Sequence, residues 1–237
     1  GMGILIDGHT ISKIDASDVL LAEFSDALVH DLEGRAVIPG LVDSHAHLLW
    51  DGDRSREVRW KQQGHTYRQI SELGGGIAST VSETREASDG RFVHLGVERL
   101  REALHNGTTH LEAKSGYGLD TDSELRLLKV AESLGAVEGL PSLDLTWLGA
   151  HSAPPGGNLD SYVEEILSEQ LPAVLSQGIA RSADVFCEPG WFNLEQTEDI
   201  LLASREGGLD LRLHIDEFED GGGGQLAADL EVTTADH

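Results

Sequence analysis

The chain has 237 residues, with 42 acidic against 17 basic side chains and a formal net charge of −25 at pH 7. That length can bury one sizeable core, while the charge excludes polyanions such as nucleic acid as partners, because phosphate binding needs basic patches. No apolar run approaches the ~20 residues of a membrane span, no basic-then-apolar leader is present, and the single Cys187 excludes a disulfide framework and any thiolate-rich zinc site.

In chain order, residues 3–35 (ILIDGHTISKID, then LVHDLEGRAVIPG) are predicted to form small β-hairpins, a segment 1–35 separate from the main fold of residues 36–237. A strand-like run follows at 36–42, and Gly74-Gly75-Gly76 marks a sharp turn or a close backbone approach. Apolar residues at helical spacing predict a helix over 92–104, then a strand over 108–113, a helix over 122–134 and a strand over 143–148. A helix over 159–175, a strand over 183–187, a shorter helix over 194–203 and a strand over 209–213 come next. Gly221 to Gly224 reads as a turn, and a last short strand is expected over 232–234. Asp122 and Asn158 are the expected helix N-caps.

Alternating strands and helices imply parallel strands joined by right-handed crossovers. An α/β fold of this kind is either a (β/α)8 TIM barrel or an open doubly wound sheet. No glycine fingerprint opens the first βα turn, and the notable polar residues fall just after strand ends, which favours the barrel. Only about six strands are found where a barrel needs eight, so the expectation is an incomplete barrel, truncated at its C-terminus.

His45-Ala46-His47 follows the first strand of that series, and strand alternation turns both imidazoles to one side, where they can share a metal ion. His214 ends the run LDLRLHIDEF, with Glu217 three residues on. A histidine ligand and a nearby carboxylate suit metal binding combined with proton transfer, although the charge run Asp216, Glu217, Glu219, Asp220 is equally the pattern of a solvated loop. His237 follows the last strand and suits a ligand, a hydrogen-bond partner or a frayed end. His151 precedes two prolines that stiffen its loop, whereas His110 lies within a strand run and reads as a packing residue.

The segments GLVDSHAHLLWDGDR, GHTY, GGGIASTV, KSGYGLD, LGAHSAPP, DVFCE, HIDEF and TADH occur in this order and together resemble the imidazolonepropionase family of the amidohydrolase superfamily, over about residues 36 to 237. The resemblance implies that His45, His47 and His214 bind one divalent metal ion; zinc and iron both accept this ligand set, with zinc slightly favoured. It further implies that Glu217 is the acid/base carboxylate and that His237 lies beside the attacked carbonyl. Arg54, Tyr67, Tyr117 and His151 match residues that hold the substrate. A guanidinium with tyrosine hydroxyls is a good receptor for a propionate tail, and the plainer alternative is that Arg54 pairs with Asp51, Asp53 or Glu57.

The reaction so implied is hydrolysis of the ring amide of 4-imidazolone-5-propanoate, a small-molecule substrate, to N-formimino-L-glutamate in histidine degradation, by a cytoplasmic homodimer without nucleic-acid or membrane partners. The neighbouring possibilities are a deaminase acting on a nitrogen heterocycle and a catalytically inactive metal-binding fragment. Bimetal relatives carry a carboxylated lysine after the fourth strand, where this chain has Glu188, so one metal ion is expected. The family's further metal-binding aspartate, after its eighth strand, has no counterpart in this sequence. Lys13, Lys61, Lys114 and Lys129 are the only lysines, and this scarcity beside the acidic excess resembles proteins of salt-loving cells.

Overall fold

A computed structural model describes all residues from Gly1 to His237, in two compact units, Gly1–Pro39 and Gly40–His237. In the first unit, β1 (Met2–Asp7) and β2 (Thr10–Ala16) form an antiparallel hairpin that turns through Gly8 at φ 58°. Helix α1 (Ser17–Glu23) follows and is tied back to β2 by a 2.5 Å Lys13–Glu23 ion pair. The second hairpin expected before residue 36 does not form: residues 24–39 contain no strand. Leu28 and Ile38 are 85% and 72% exposed, so alternation there has no apolar face to bury, and Pro39 has no N–H to give a ladder.

The second unit is built on six parallel strands, β3 (Leu41–Asp43), β4 (Thr108–Lys114), β5 (Ser142–Ala150), β6 (Ser182–Cys187), β7 (Asp210–Ile215) and β8 (Thr234–Asp236). Their spatial order equals their sequence order, and each neighbour pair is parallel. A doubly wound sheet reverses its strand order at a switch point, so this winding is that of a barrel. The sheet curls far enough that His45, just past β3, meets Asp236 on β8 at 2.9 Å, although those two strands do not pair. The six-strand, barrel-type α/β expectation therefore holds.

The first crossover carries four helices, α2 (Ser55–Gln62), α3 (Tyr67–Glu72), α4 (Gly76–Glu86) and α5 (Asp89–His105), where the sequence predicts only the last. Helices α2 and α3 are short and bury one side chain each, Glu57 and Ile70, so no apolar stripe announces them. Helix α4, by contrast, turns Ile77 and Val81 into the core from a run otherwise made of small and polar residues. Helix α6 (Thr121–Gly135) is capped by Asp120, not Asp122: the Asp120 carboxylate accepts the Ser123 N–H at 2.7 Å. Asn158 caps the next helix as expected.

That helix is not continuous. It runs as α7 (Leu159–Glu165), a π-turn over Ile166–Gln170, and α8 (Leu171–Gln177). The register opens immediately before Pro172, which has no N–H for a regular i→i−4 bond. Helix α9 (Leu194–Glu206) and the seven-residue α10 (Gly223–Asp229) complete the unit. The turn expected at Gly221 to Gly224 is real at Gly222, φ 82°, but the chain enters α10 directly from it.

The middle strands lie within two residues of the expected runs, but of the run 36–42 only Leu41 and Val42 are in a strand. Strand β3 begins at Leu41, and Gly40 before it packs directly on Thr109, where any Cβ would lie 2.1 Å from its hydroxyl. Strand β8 is displaced two residues beyond the expected run. Between sheet and helices lies one apolar core that includes Val81, Phe92, Leu100, Leu134, Val185 and Ile200.

Candidate active site

The carboxyl ends of the strands face one cavity of about 220 Å³. His45 and His47 enter it from the segment after β3, His214 from β7 and His237 from the residue after β8. Tyr117 and His151 come from the loops that follow β4 and β5, and Glu217 from the loop after β7. Arg54 precedes α2 and Tyr67 begins α3. All nine side chains singled out in the sequence thus line the same cavity, together with Ile77, Phe186 and Phe218.

The histidines are crowded. The rings of His45 and His214 are 4.5 Å apart between centroids, and His237 lies 5.2 Å from the first and 5.4 Å from the second. One ring nitrogen from each of these three falls within 4.8 Å of the others. This tightest group holds His237 where the sequence set holds His47. His47 lies a step out, 5.7 and 5.8 Å from His45 and His214, and stacks on His151 at 5.0 Å.

Burial, reinforced by the surrounding imidazoles, holds His47 well below the ordinary histidine range, and its Nδ1 is buried without a partner. An orphaned imidazole nitrogen among other imidazoles suits a divalent cation, and the donors fit one. A second group, Asp184, His214 and Asp236, also has ligand spacing. The Lys114 ammonium already occupies it, 2.6 Å from Asp184 and 3.3 Å from Asp236.

On the opposite side, Arg54 donates from Nε and Nη2 to both oxygens of the buried Glu57 at 2.8 Å. The plain ion-pair alternative is therefore realised with Glu57, and the guanidinium still borders the cavity. Glu57 also accepts the Gly76 N–H at 2.7 Å, which gives the glycine triplet its role as a tight turn over this pair. Burial pushes the Tyr117 hydroxyl up to about 12, so it stays a neutral donor. Burial likewise lowers His151 to about 3. Its Nδ1 lies 2.8 Å from the Gly116 carbonyl oxygen, which can only accept, so Nδ1 carries the hydrogen and Nε2 is an acceptor.

Tyr117 is held by a buried carboxylate outside the cavity. Glu124, fully buried in α6, accepts the N–H groups of Gly116, Gly118 and Leu119 at 3.0, 2.7 and 3.0 Å. Glu124→Ala strands three backbone donors and is expected to cost roughly 3 kcal/mol in chemical denaturation, with Glu124→Gln recovering about half.

Several further residues shape the site. Glu188, near the position of the bimetal relatives' carboxylated lysine, accepts the backbone N–H groups of Glu217 and Phe218 and so anchors the loop of Glu217. Glu112, Lys114, Asp184, Arg212 and Asp236 lie inside strands on the sheet's inner face. Their signal was present: charged residues at two-residue spacing in otherwise apolar runs, as in Glu112/Lys114 and Arg212/His214.

No family model matches the chain. It is 42% identical over 228 residues to an imidazolonepropionase of Shewanella oneidensis, covering 95% of this chain and 54% of that protein. To the imidazolonepropionase of Shewanella sediminis it is 44% identical over 207 residues, covering 86% and 50%. The chain spans about half the length of the curated relatives it matches. Among solved structures it resembles the 5-methylcytosine deaminase of Klebsiella pneumoniae, with a TM-score of 0.64, 15% identity and coverage of 97% of this chain and 52% of that one. The guanine deaminase of C. acetobutylicum gives a TM-score of 0.55 at 15% identity, covering 90% and 48%. By fold, the chain resembles these deaminases. By sequence, it is a homologue of the imidazolonepropionases.

Proposed function

We propose that the chain carries the hydrolytic centre of an imidazolonepropionase, opening the ring amide of 4-imidazolone-5-propanoate to give N-formimino-L-glutamate. The observation that carries this reading is the single cavity in which a histidine cluster, one carboxylate and an arginine–tyrosine group converge. His45, His47 and His214 would hold one divalent metal, which when bound supplies Lewis acidity toward a carbonyl or a water; the imidazole donor set suits zinc and ferrous iron alike, and zinc is the ion used in the tests below.

The remaining chemistry belongs to side chains. Glu217 takes a proton from the attacking water and delivers it to the ring nitrogen as the C–N bond breaks. His237, whose Nε2 is 3.9 Å from the Glu217 carboxylate, donates to the developing oxyanion. Arg54, Tyr67 and Tyr117 receive the propionate, and the acceptor Nε2 of His151 takes a ring N–H. Loss of the imidazolone ultraviolet chromophore under zinc loading, absent in His45→Ala, is the expected result; ammonia release without ring opening overturns the substrate assignment.

Arg54→Gln is expected to lower kcat/KM roughly 100-fold, mostly through KM, because a neutral amide cannot offer the forked, charged contact to a carboxylate. We propose a homodimer as the assembly, supported by exposed apolar residues such as Ile6, Ile38 and Val42, to be checked by sedimentation. The buried, unpaired Cys187 supports a reducing, cytoplasmic setting. The charge of −25 supports a salt-loving source. On that reading Tm rises by roughly 5 °C or more between dilute buffer and molar KCl, as screening relieves self-repulsion.

A further inference from the structure

We infer that Lys114 is a positioning residue which, through Asp184 and Asp236, holds both His214 and His45 with hydrogen on Nδ1 and a free Nε2 at the cavity. The inference rests on the reading above only in taking these two histidines as ligands.

Lys114 ends β4, Asp184 lies in β6 and Asp236 in β8. These are alternate strands, the arrangement by which a barrel interior forms one layer of side chains. The Lys114 side chain is completely buried, and its ammonium contacts Asp184 at 2.6 Å, Glu112 at 3.0 Å and Asp236 at 3.3 Å. An ammonium has three donors, and three carboxylates surround this one, so none is left for substrate. Burial works against the charge, but Asp184 and Glu112 outweigh it and raise the lysine above its ordinary range.

Each of two of these carboxylates then reaches one histidine. Asp184 lies 3.0 Å from Nδ1 of His214, and Asp236 lies 2.9 Å from Nδ1 of His45. A carboxylate can only accept, so Nδ1–H donates in both pairs and the lone pair is left on Nε2, the form in which an imidazole binds metal. His47 lacks such a partner, and its Nδ1 is unpaired. The third carboxylate, Glu112, faces away from the histidines: it accepts from Thr146 at 2.6 Å and pairs with Arg212 at 3.1 Å, which also reaches Asp144 at 2.9 Å. Lys114 and Arg212 thus face four carboxylates, an excess of negative charge beneath the cavity that favours a cation above it.

The test is side-chain nitrogen NMR on the full chain labelled with ¹⁵N-histidine, free of metal, with zinc affinity from chelator competition as a second readout. In the wild type, His45 and His214 are each expected in the Nδ1–H form. Asp236→Ala should release His45 into a mixture of forms while His214 keeps its own, and should weaken zinc binding about 10- to 100-fold. Lys114→Met should release both histidines together, and Lys114→Arg should restore them in part. Should Lys114→Met fail to fold for want of a counter-charge, Asp236→Ala, at the more exposed end of the layer, still decides. Unchanged forms of both histidines in a folded Lys114→Met protein overturn the inference, as does an Asp236→Ala protein in which His45 is unmoved. Histidine forms that shift as expected while zinc affinity stays constant leave the positioning intact and overturn the assignment of the metal ligands.

Discussion

Glu217→Gln is expected to lower ring opening about 1,000-fold with zinc content and melting temperature unchanged. The amide keeps the shape of the side chain and removes its ability to accept and pass on a proton. The loop should stay in place because it is anchored from beneath: Glu188 accepts the backbone N–H groups of residues 217 and 218, contacts that ignore the side chain at 217. KM should therefore hardly move, and the loss should fall on kcat. A loss shared equally between KM and kcat would show that Glu217 binds substrate and does not move protons.

The second large effect is expected from His214→Ala, in which zinc is lost and turnover falls at least ~10⁴-fold while the protein stays folded. Removing a buried partner of a carboxylate usually destabilises, because the charge is left alone. Here Asp184 keeps the Lys114 ammonium at 2.6 Å, so its charge remains compensated. Burial opposes ionisation of Asp184, yet His214 and Lys114 together hold it far below the usual carboxylate range. Zinc analysis, circular dichroism and the ultraviolet assay on one preparation check all three parts. Retention of stoichiometric zinc would remove His214 from the ligand set.

The barrel winding was legible in the sequence because buried parallel strands are apolar runs and their crossover helices, such as Asp89–His105 and Thr121–Gly135, carry long apolar stripes. The short helices between Ser55 and Glu86 were not, since Tyr67–Glu72 buries only Ile70 and is fixed by its Thr66/Gln69 capping box. Seven of the nine candidate residues lie at or just past strand ends, whereas Arg54 and Tyr67 stand on the first crossover and were reached only through the motif resemblance. The charges beneath the site were not legible, because a lysine or aspartate inside an apolar strand reads as an interruption until the sheet curls. Only then do Glu112, Lys114, Asp184 and Asp236 face one another across the strands. Arg54 shows a further limit: sequence proximity named Glu57 as one of three candidate partners, and only the geometry of α2 selects it.

The 2.9 Å contact between His45 and Asp236 joins the first and last strands of the sheet through side chains alone. Nearly the whole chain must be organised before those two groups can meet, and contacts of such long sequence separation form late, after most loop-closure entropy has been spent. The histidine cluster is thus a reporter of completed folding: a chain that has packed its early strands but not docked the last has no assembled cluster. Zinc uptake during refolding should accordingly lag behind the recovery of helical circular dichroism, since a ligand that binds only the finished arrangement draws the folding equilibrium forward at its final step.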